Sequence, residues 1–323
     1  MPVKISVVVP TFHKEALLKK CLNALNEQCF NKQEFEVIVV SDGPDDDTKQ
    51  LLQEYFRESD LVLRYFFLEK KKGPAAARNL GWKRAKGYLV AFTGDDCIPD
   101  TDWLHDLWSA YKGEALVAFS GTVKVPVPVK PTDYEVNLAG IEAESFVSAN
   151  CCCTKKALEL TGGYDEMFSK SWREDSDLEF RLLQHKVPVI KLANAIVIHP
   201  VPKAPWGVSI TEQKKGMYDA LLYKKYPHQF RHKIHTRPPF EYYAFVLLTV
   251  FALSGLLLGM HYFMNVSLLL WLLILGKLVV KRLSGTTHSA EHVTEMIVTS
   301  AVIPYVSVYW HLYGAWRFKV LFI

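Results

Sequence analysis

Ile5-Ser-Val-Val-Val-Pro10 begins the sequence pattern that decides the fold. This continuous apolar run is rich in β-branched residues and is typical of a parallel strand that is buried on both faces. Similar runs follow at Phe35-Glu-Val-Ile-Val-Val40, at 61–67 and at Tyr88-Leu-Val-Ala-Phe92, and helical segments separate them. The alternation of strands and helices predicts an α/β fold with a doubly wound sheet and right-handed crossovers.

Composition limits the class of protein. Half of the 323 residues are apolar, which is enough for a sizeable core, and the apolar residues become much denser after residue 240. The formal net charge of +4 is too small to indicate a nucleic-acid partner. The six cysteines lack the spacing of a zinc site or of a disulfide framework. Adjacent Cys151, Cys152 and Cys153 would alternate between the two faces of a strand, so we expect buried free thiols.

Acidic residues follow two of the predicted strands. Asp42 comes after the second strand, and Asp95 and Asp96 come after the strand at 88–92. The carboxyl ends of parallel strands meet at one edge of a sheet, where ligands bind in such folds. Carboxylates at that edge suit Mg²⁺ or Mn²⁺, which are held by one or two protein oxygens and by substrate phosphates. Aspartate is also common in solvated turns, so a purely structural role is the alternative.

A second acidic group stands in Trp172-Arg-Glu-Asp-Ser-Asp177. It precedes or begins a helix predicted over 176–185, where the macrodipole favours carboxylates, so helix capping is one interpretation. Ser176 and Asp177 are sufficient for capping, and Glu174 and Asp175 are expected to lie ahead of the helix. A carboxylate placed there is a candidate general base.

A glycine turn opens the Ala-rich helix in Gly73-Pro-Ala-Ala-Ala-Arg-Asn-Leu-Gly81. Such a turn can bring backbone N–H groups close to a phosphate. The segment is neither a phosphate loop that ends in Gly-Lys-Ser/Thr nor a dinucleotide-binding motif. By itself it indicates little.

Together, these segments resemble the family 2 glycosyltransferases, which have the GT-A fold. The matching segments occur in the family's order over residues 4 to 200: Val7-Val-Val-Pro-Thr11, Val39-Val-Ser-Asp-Gly43, Gly73 to Gly81, Phe92 to Pro99, Asn150, Gly162-Gly-Tyr-Asp-Glu166 and Arg173-Glu-Asp-Ser-Asp177. The resemblance implies a GT-A catalytic domain over residues 1–205, with a doubly wound mixed sheet. It also implies a nucleotide-diphosphate sugar as donor, expected to be UDP-linked, and a divalent metal, Mg²⁺ or Mn²⁺, as cofactor.

The resemblance implies roles on the donor side. The residues expected to bind the nucleotide sugar are Pro10, Thr11, Asp42, Arg78 and Asp95. Asp96 is the expected direct metal ligand. Many members of the family carry Asp-x-Asp here, whereas this chain has Gly94 in the first position, which leaves the number of protein ligands open. His199 follows a predicted strand and is a second candidate ligand, with a structural histidine as the alternative.

On the acceptor side, the resemblance makes Asp175 the catalytic base, with Glu174 as its catalytic neighbour. Asn150 and Gly163 match acceptor-binding positions. Trp172 can stack on a sugar, although packing is the commoner use of tryptophan. The predicted reaction is an inverting single displacement onto a hydroxyl of a lipid-linked or cell-surface glycan.

Residues 241–282 are predicted to form a transmembrane helical hairpin, because two apolar stretches there approach the length of a membrane span. The basic residues that flank the hairpin are Lys224, Lys225, Arg231, Lys233 and Arg237 before it and Lys277, Lys281 and Arg282 after it. The connection at 259–265 contains neither Lys nor Arg. The positive-inside rule then places both ends, and the catalytic domain, at the cytoplasmic face. A buried hairpin of a soluble protein is the alternative.

Two further segments complete the predicted organisation. Residues 206–240 are expected to form an amphipathic, basic juxtamembrane segment with a helix over 206–226. Residues 283–323 contain a third apolar stretch, which carries Pro304 and is followed by Arg317 and Lys319. Spanning would move these two cations to the outer side, so an interfacial or re-entrant membrane segment is predicted.

Two other functions stay open. A nucleotidyltransferase would share the sheet topology and the metal, but is expected to carry a Gly-rich basic loop where this chain has Pro10-Thr-Phe-His-Lys14. A non-catalytic, membrane-anchored sugar-binding protein would be marked by loss of Asp96 or Asp175, and both are present. The expected partners are the nucleotide-sugar donor, a glycan or lipid-linked acceptor and membrane lipid, without nucleic acid.

Overall fold

The structure, a computed structural model, describes residues 2–234 and 239–322, which divide into two compact units. The sheet unit comprises residues 1–126 and 139–201, and the helical unit comprises 127–138 and 202–323. The chain thus leaves the sheet unit after residue 126 and returns to it at 139. The continuous domain expected over 1–205 is therefore interrupted by a segment that belongs to the helical unit.

Eight strands of the described residues form one mixed sheet. They are β1 (Ile5–Thr11), β2 (Phe35–Ser41), β3 (Leu63–Phe67), β4 (Leu89–Thr93), β5 (Ile98–Pro99), β6 (Ala118–Lys124), β7 (Asn150–Thr154) and β8 (Val189–Ile198). Their order is β3-β2-β1-β4-β7-β6-β8-β5. The first four in this order are parallel, whereas β7 runs antiparallel to both β4 and β6. The doubly wound mixed sheet predicted from the sequence is confirmed.

Helices cover both faces of this sheet. The helices of the sheet unit are α1 (Glu15–Asn26), α2 (Asp46–Glu58), α3 (Pro74–Arg84), α4 (Trp103–Ala110), a 3₁₀ turn (Gly140–Ala143), α6 (Lys155–Thr161) and α7 (Glu174–Gln184), whereas α5 (Asp133–Ala139) belongs, except for its last residue, to the helical unit. One core cluster joins α1, α2 and α4 to the sheet, and a second joins α3, α6 and α7 to the opposite face. Val7 and Val9 of β1 lie in the first cluster and Val8 lies in the second, which explains why the whole run is apolar.

The three adjacent cysteines lie in β7 and alternate as predicted. Cys152 packs in the cluster with α1 and α4, whereas Cys151 and Cys153 pack in the opposite cluster. All six cysteines are free. Burial raises the pKa of the Cys151 thiol to about 12, so this side chain is an uncharged core group at neutral pH.

The helical unit contains α8 (Val208–Glu212), a 3₁₀ turn (Gln213–Gly216), α9 (Met217–Lys225), α10 (Pro227–Lys233), α11 (Phe240–Leu257), α12 (His261–Leu283) and α13 (Ala290–Phe318). The single helix expected over 206–226 is wrong. Gly207 has a φ of 76°, so the helix cannot begin before it, and the 3₁₀ turn then separates α8 from α9. A side chain at Gly216 would meet the ring of His311 at 3.4 Å, so this turn packs closely on α13.

Within the described residues, α11, α12 and α13 are long and apolar enough to cross a membrane. α11 and α12 occupy the predicted hairpin and approach closely at Gly255, where a Cβ atom would lie 2.9 Å from the backbone nitrogen of Met264. Tyr305 of α13 joins the other two helices through Thr249 Oγ1 at 2.6 Å and Trp271 Nε1 at 3.3 Å. α13 continues without a break through Pro304, so whether it spans or lies at the interface stays a prediction. Arg237 of the flanking basic group lies outside the described residues.

Arg282 holds the segment 127–138 in the helical unit. Its Nη2 donates to Asp133 Oδ2 at 2.7 Å, and its Nη1 donates to Thr299 Oγ1 at 2.7 Å. The backbone nitrogen of Thr287 donates to the carbonyl of Pro131 at 2.7 Å. These contacts explain why the connection between β6 and β7 clusters with the helices.

Candidate active site

Three neighbouring parallel strands end at one edge of the sheet. Thr11 at the end of β1 lies opposite Ser41 at the end of β2, and β1 also pairs in parallel with β4. Pro10, Thr11, Asp42, Asp95 and Asp96 therefore follow or complete these strands at the same edge, as expected from the strand pattern.

Lys14 connects the two carboxylates that follow β4. Its Nζ lies 3.0 Å from Asp95 Oδ1 and 3.0 Å from Asp96 Oδ2. Burial alone would lower the pKa of Lys14, but the two carboxylates outweigh it and raise that pKa, so the side chain is an ammonium. Sequence reasoning missed this residue. The available signal was a lysine three positions after the end of β1, at the edge where the carboxylates were expected.

His199 follows β8 and faces the second of these carboxylates. Its Nε2 lies 3.6 Å from Asp96 Oδ1. Burial would raise the pKa of Asp96, but Lys14 and His199 more than offset it and lower that pKa, so Asp96 is ionised at neutral pH. The neighbouring Cys97 has its pKa raised by burial and stays a thiol, which is a poor ligand for a hard cation.

Asp96 and His199 fit a divalent cation. Ligand atoms of Asp96, Cys97 and His199 lie within 4.8 Å of one another, and the other ring nitrogen of His199, Nδ1, is buried without a hydrogen-bond partner among the described residues. An oxygen and an imidazole nitrogen suit Mn²⁺, and the oxygen also suits Mg²⁺. The arrangement therefore agrees with the two metal ligands expected from the sequence, although His199 needs its ring nitrogen unprotonated on the side of the cation.

Gly94 provides space for the carboxylate of Asp96. A Cβ atom at Gly94 would lie 2.6 Å from Asp96 Oδ1 and 3.1 Å from Cys97 Sγ. An aspartate at this position, as in an Asp-x-Asp motif, would displace the Asp96 side chain. The absence of a side chain at Gly94 therefore permits the position that the Asp96 carboxylate occupies in this chain.

The carboxylate of Asp42 accepts hydrogen bonds from backbone N–H groups. Its Oδ1 accepts hydrogen bonds from the backbone nitrogens of Lys72 and Gly73, both at 2.8 Å. Gly73 has a φ of 111°, and a Cβ atom there would lie 2.6 Å from the carbonyl oxygen of Ser169. Asp42 thus fixes the start of α3 next to the loop that precedes α7. The contact with the nucleotide sugar that is expected for Asp42 stays a proposal.

Arg78 points to the other acidic group. Its Nη1 lies 3.1 Å from Glu174 Oε1, both side chains are buried, and its guanidinium lies over the ring of Tyr164 at 5.3 Å. Arg78 thus has a structural partner, and the nucleotide-sugar-binding role implied for it stays a prediction.

α7 begins at Glu174, two residues earlier than expected. Arg173 adopts a left-handed φ of 71° and turns the chain, so Glu174 and Asp175 lie in the first turn of the helix and not ahead of it. The unpaired backbone N–H groups and the macrodipole favour carboxylates there. Asp175 Oδ1 accepts a hydrogen bond from the backbone nitrogen of Ser176 at 2.8 Å.

The two carboxylates of this turn differ in environment. Glu174 is buried, and burial together with the charge of Asp175 raises its pKa, against the opposing effect of Arg78. Asp175 is partly exposed, and its pKa is also raised, mainly by desolvation. Glu174 is therefore an internal group, whereas Asp175 is the carboxylate that a substrate can reach.

β7 brings the two acidic groups to the same end of the sheet. Asn150, its first residue, lies directly opposite Thr93, and Thr93 precedes Asp95 by two positions. The backbone of Ser148, two positions before Asn150, lies close enough to Asp175 to oppose the rise in the pKa of that carboxyl. The Asp95–Asp96 pair thus follows the end of β4, and Asp175 lies near the start of the adjacent strand β7.

Asn150 has structural partners, and the acceptor-binding role expected for it stays a prediction. This side chain is fully buried. Its Nδ2 donates to the carbonyls of Thr122 and Ala195, both at 2.9 Å, and its Oδ1 accepts from Trp103 Nε1 at 2.9 Å. Asn150 thus ties strands together inside the sheet unit, through both the nitrogen and the oxygen of its amide.

Gly163 is also a packing residue, and Trp172 is the accessible member of the expected acceptor side. Gly163 has a φ of 74°, and a Cβ atom there would lie 2.2 Å from Trp82 Nε1, so it permits the turn after α6 to pack on α3. The acceptor contact expected for Gly163 stays a prediction. Trp172 is 37% exposed and stacks with Arg173, whose guanidinium lies 4.5 Å from its ring.

Comparison with known proteins agrees with this geometry. Residues 6–142 match the model of the family described as Glycosyl transferase family 2. The glycosyltransferase AglE of Haloferax volcanii is 32% identical over 124 residues, which cover 38% of this chain and 40% of that protein. The GalNAc(5)-diNAcBac-PP-undecaprenol beta-1,3-glucosyltransferase of Campylobacter jejuni is 36% identical over 93 residues, or 29% of each chain. The chain thus spans less than half the length of these relatives.

A solved structure extends the comparison to nearly the whole chain. The mannosyltransferase PcManGT of Pyrobaculum calidifontis, in complex with GDP-Man and Mn²⁺, superimposes with a TM-score of 0.58 at 16% identity, over 98% of this chain and 90% of that one. At this identity the likeness concerns the fold. It confirms the GT-A fold that the sequence predicted.

Proposed function

Since this chain carries a family 2 glycosyl transferase domain over residues 6–142, we propose that it is a membrane-bound, metal-dependent, inverting hexosyltransferase. It would move a sugar from a nucleotide-diphosphate sugar to a hydroxyl of a lipid-linked or cell-surface glycan. One observation carries the proposal: the Asp95–Asp96 pair and Asp175 stand at adjacent ends of β4 and β7. This arrangement supplies a cation site and a separate proton acceptor at one edge of the sheet.

The donor side uses the strand ends. Asp96 and His199 would hold the divalent cation, and Pro10, Thr11 and Asp42 border the nucleotide. When bound, Mg²⁺ or Mn²⁺ supplies positive charge that stabilises the departing diphosphate. A UDP-linked sugar is the first donor to test, and the GDP-linked sugar bound by the Pyrobaculum protein is the second.

Asp175 is the proposed base. As the acceptor oxygen attacks the anomeric carbon, the bond between that carbon and the diphosphate oxygen breaks, and Asp175 takes the proton of the acceptor hydroxyl. Its raised pKa gives it more proton affinity than an exposed aspartate. Glu174, held by Arg78, fixes the first turn of α7, and the exposed Trp172 offers a ring on which the acceptor sugar stacks.

The membrane side is supported by α11, α12 and α13. Their apolar side chains are largely exposed, as suits contact with lipid. The basic flanks of the hairpin favour a cytoplasmic catalytic domain. An acceptor attached to a membrane lipid fits this placement, and the Campylobacter relative is named for a glycan linked to undecaprenol.

The purified protein in detergent tests the proposal. We expect it to hydrolyse or transfer from at least one member of a panel of UDP-, GDP-, TDP- and CDP-sugars, and to stop when EDTA removes the metal. Release of the nucleoside diphosphate is the measured quantity. Transfer of a nucleotide instead of a sugar would favour the nucleotidyltransferase. Binding of a sugar nucleotide without any turnover, in the presence of membrane extract as acceptor source, would favour a non-catalytic sugar-binding protein.

A further inference from the structure

Lys14 has hydrogen-bonding capacity beyond its two carboxylate partners. An ammonium group carries three N–H donors, and Lys14 Nζ uses two of them, one for Asp95 Oδ1 and one for Asp96 Oδ2. Its side chain is 44% exposed, so the ammonium is reachable from solvent. The third donor is thus available at the edge of the sheet where the donor would bind.

The two carboxylate oxygens of Asp96 have different partners. Lys14 contacts Oδ2, whereas His199 faces Oδ1. A cation held by Oδ1 and His199 does not require Lys14 to leave Oδ2. The ammonium therefore stands beside the cation site as part of the same constellation.

Lys14 determines the net charge of the site. Asp95 and Asp96 together neutralise a divalent cation, and Lys14 adds the net positive charge. A nucleoside diphosphate is a multiply charged anion and gains negative charge as the sugar departs, so a neutral site would serve it poorly. Arg78, for which the resemblance implies nucleotide-sugar binding, is buried in an ion pair with Glu174.

We infer that Lys14 is a donor-binding residue, whose ammonium is held between Asp95 and Asp96 and donates its third N–H to a phosphate oxygen of the nucleotide-diphosphate sugar. The inference rests on the proposed function and adds to it the side-chain cation that recognises the diphosphate. A charge-assisted hydrogen bond of this kind is also short and directional, so it would orient the leaving group.

Calorimetry on the full chain in detergent provides the test. UDP, GDP, TDP and CDP are screened with Mn²⁺ on the wild type, and the diphosphate that binds is carried forward. Lys14→Met removes the charge at similar length, and Lys14→Arg keeps the charge. Lys20→Met, an exposed lysine of α1, is the matched control. Mn²⁺ affinity without nucleotide and thermal unfolding are measured for each variant.

We expect Lys14→Met to weaken binding of the diphosphate by roughly 10-fold or more, the usual effect of losing a hydrogen bond to a charged group. The corresponding nucleoside, measured by competition, should lose less than about 2-fold, because it has no phosphate for Lys14 to contact. Lys14→Arg should restore most of the affinity, and Lys20→Met should match the wild type. Mn²⁺ binding by Lys14→Met should not weaken, because a neighbouring positive charge has been removed.

Unchanged diphosphate affinity in Lys14→Met would overturn the inference while leaving the proposed function intact. So would equal losses for the diphosphate and the nucleoside, since Lys14 would then only position Asp95 and Asp96. A wild type that binds none of the four diphosphates would instead overturn the proposed function, and the inference with it.

Discussion

Arg78 Nη1 lies 3.1 Å from Glu174 Oε1, and this buried ion pair joins α3 to the first residue of α7. The pair separates the roles of two adjacent carboxylates. Glu174 is committed to an internal partner, whereas Asp175 is partly exposed and accepts a hydrogen bond from the backbone N–H of Ser176. Removing one member of such a buried pair leaves the other charge uncompensated.

The first prediction compares these two carboxylates. Asp175→Asn keeps the side-chain shape and removes the proton acceptor, so turnover should fall by about 10²-fold or more. Nucleotide affinity should be nearly unchanged, because the loss is confined to the transition state. Glu174→Gln should be milder. Transfer rate and nucleotide affinity are measured for both variants. Near-normal transfer by Asp175→Asn with an inactive Glu174→Gln would move the base to Glu174.

A second prediction concerns stability and pH. The folded-state pKa of Glu174 is raised above its ordinary value of 4.5, so above that pH the folded protein retains a proton that the unfolded chain has released. Stability therefore falls as pH rises from 4.5 through the folded pKa, by about 1.4 kcal/mol for each unit of the shift. Glu174→Gln cannot release this proton and should show a smaller fall, measured by thermal unfolding across this range. An equal or steeper fall in the variant would contradict the burial argument. Asp175, shifted in the same direction, accounts for any remaining slope.

The third prediction tests the cation site. Asp96→Ala removes the carboxylate between Lys14 and His199 and should abolish the part of donor binding that depends on Mn²⁺. Calorimetry with a sugar nucleotide, with and without Mn²⁺, measures this part. Asp106→Ala, a carboxylate on α4, is a matched control that should keep it. Metal-dependent affinity that survives in Asp96→Ala would remove Asp96 from the site.

Gly94→Ala is the fourth prediction. The added Cβ atom would lie 2.6 Å from Asp96 Oδ1, so the carboxylate must move. Mn²⁺ affinity should fall although every ligand is retained, and the unfolding temperature should change little because the site is at the sheet edge. Gly140→Ala, where a Cβ atom meets nothing within 4 Å, is the control. Unaltered Mn²⁺ affinity in Gly94→Ala would show that Oδ1 is not a ligand.

The fifth prediction concerns the hairpin of α11 and α12. Cys29 is exposed in the sheet unit, whereas the other five cysteines are buried, so Cys29 reports the side of the catalytic domain. A second accessible cysteine is introduced as His261→Cys, at the first residue of α12. In intact cells a membrane-impermeant maleimide should label residue 261 and not residue 29. Labelling of both, or of neither until the cells are opened, would contradict the hairpin.

The sequence alone was sufficient for the architecture of the sheet. Buried strands such as Ile5–Thr11 need apolar residues on both faces, so their pattern is visible without coordinates. The position of Asp95 after a strand also follows from the pattern, since strand ends gather at one edge. The alternation of Cys151 to Cys153 between two core clusters has the same origin, the two-residue period of a strand.

The partners of the site residues were decided only by tertiary structure. Lys14 meets Asp95 across 81 positions and Arg78 meets Glu174 across 96, and no local pattern specifies such pairs. Asn150 and Gly163 belong to the recognisable motifs. In the structure, the amide of Asn150 bonds to carbonyls of β6 and β8, and the backbone of Gly163 packs against α3. Sequence spacing places a residue at an edge or in a turn, whereas the direction of its side chain depends on the elements that pack against it. That is why the strand ends could be predicted and the cation beside Asp96 could not.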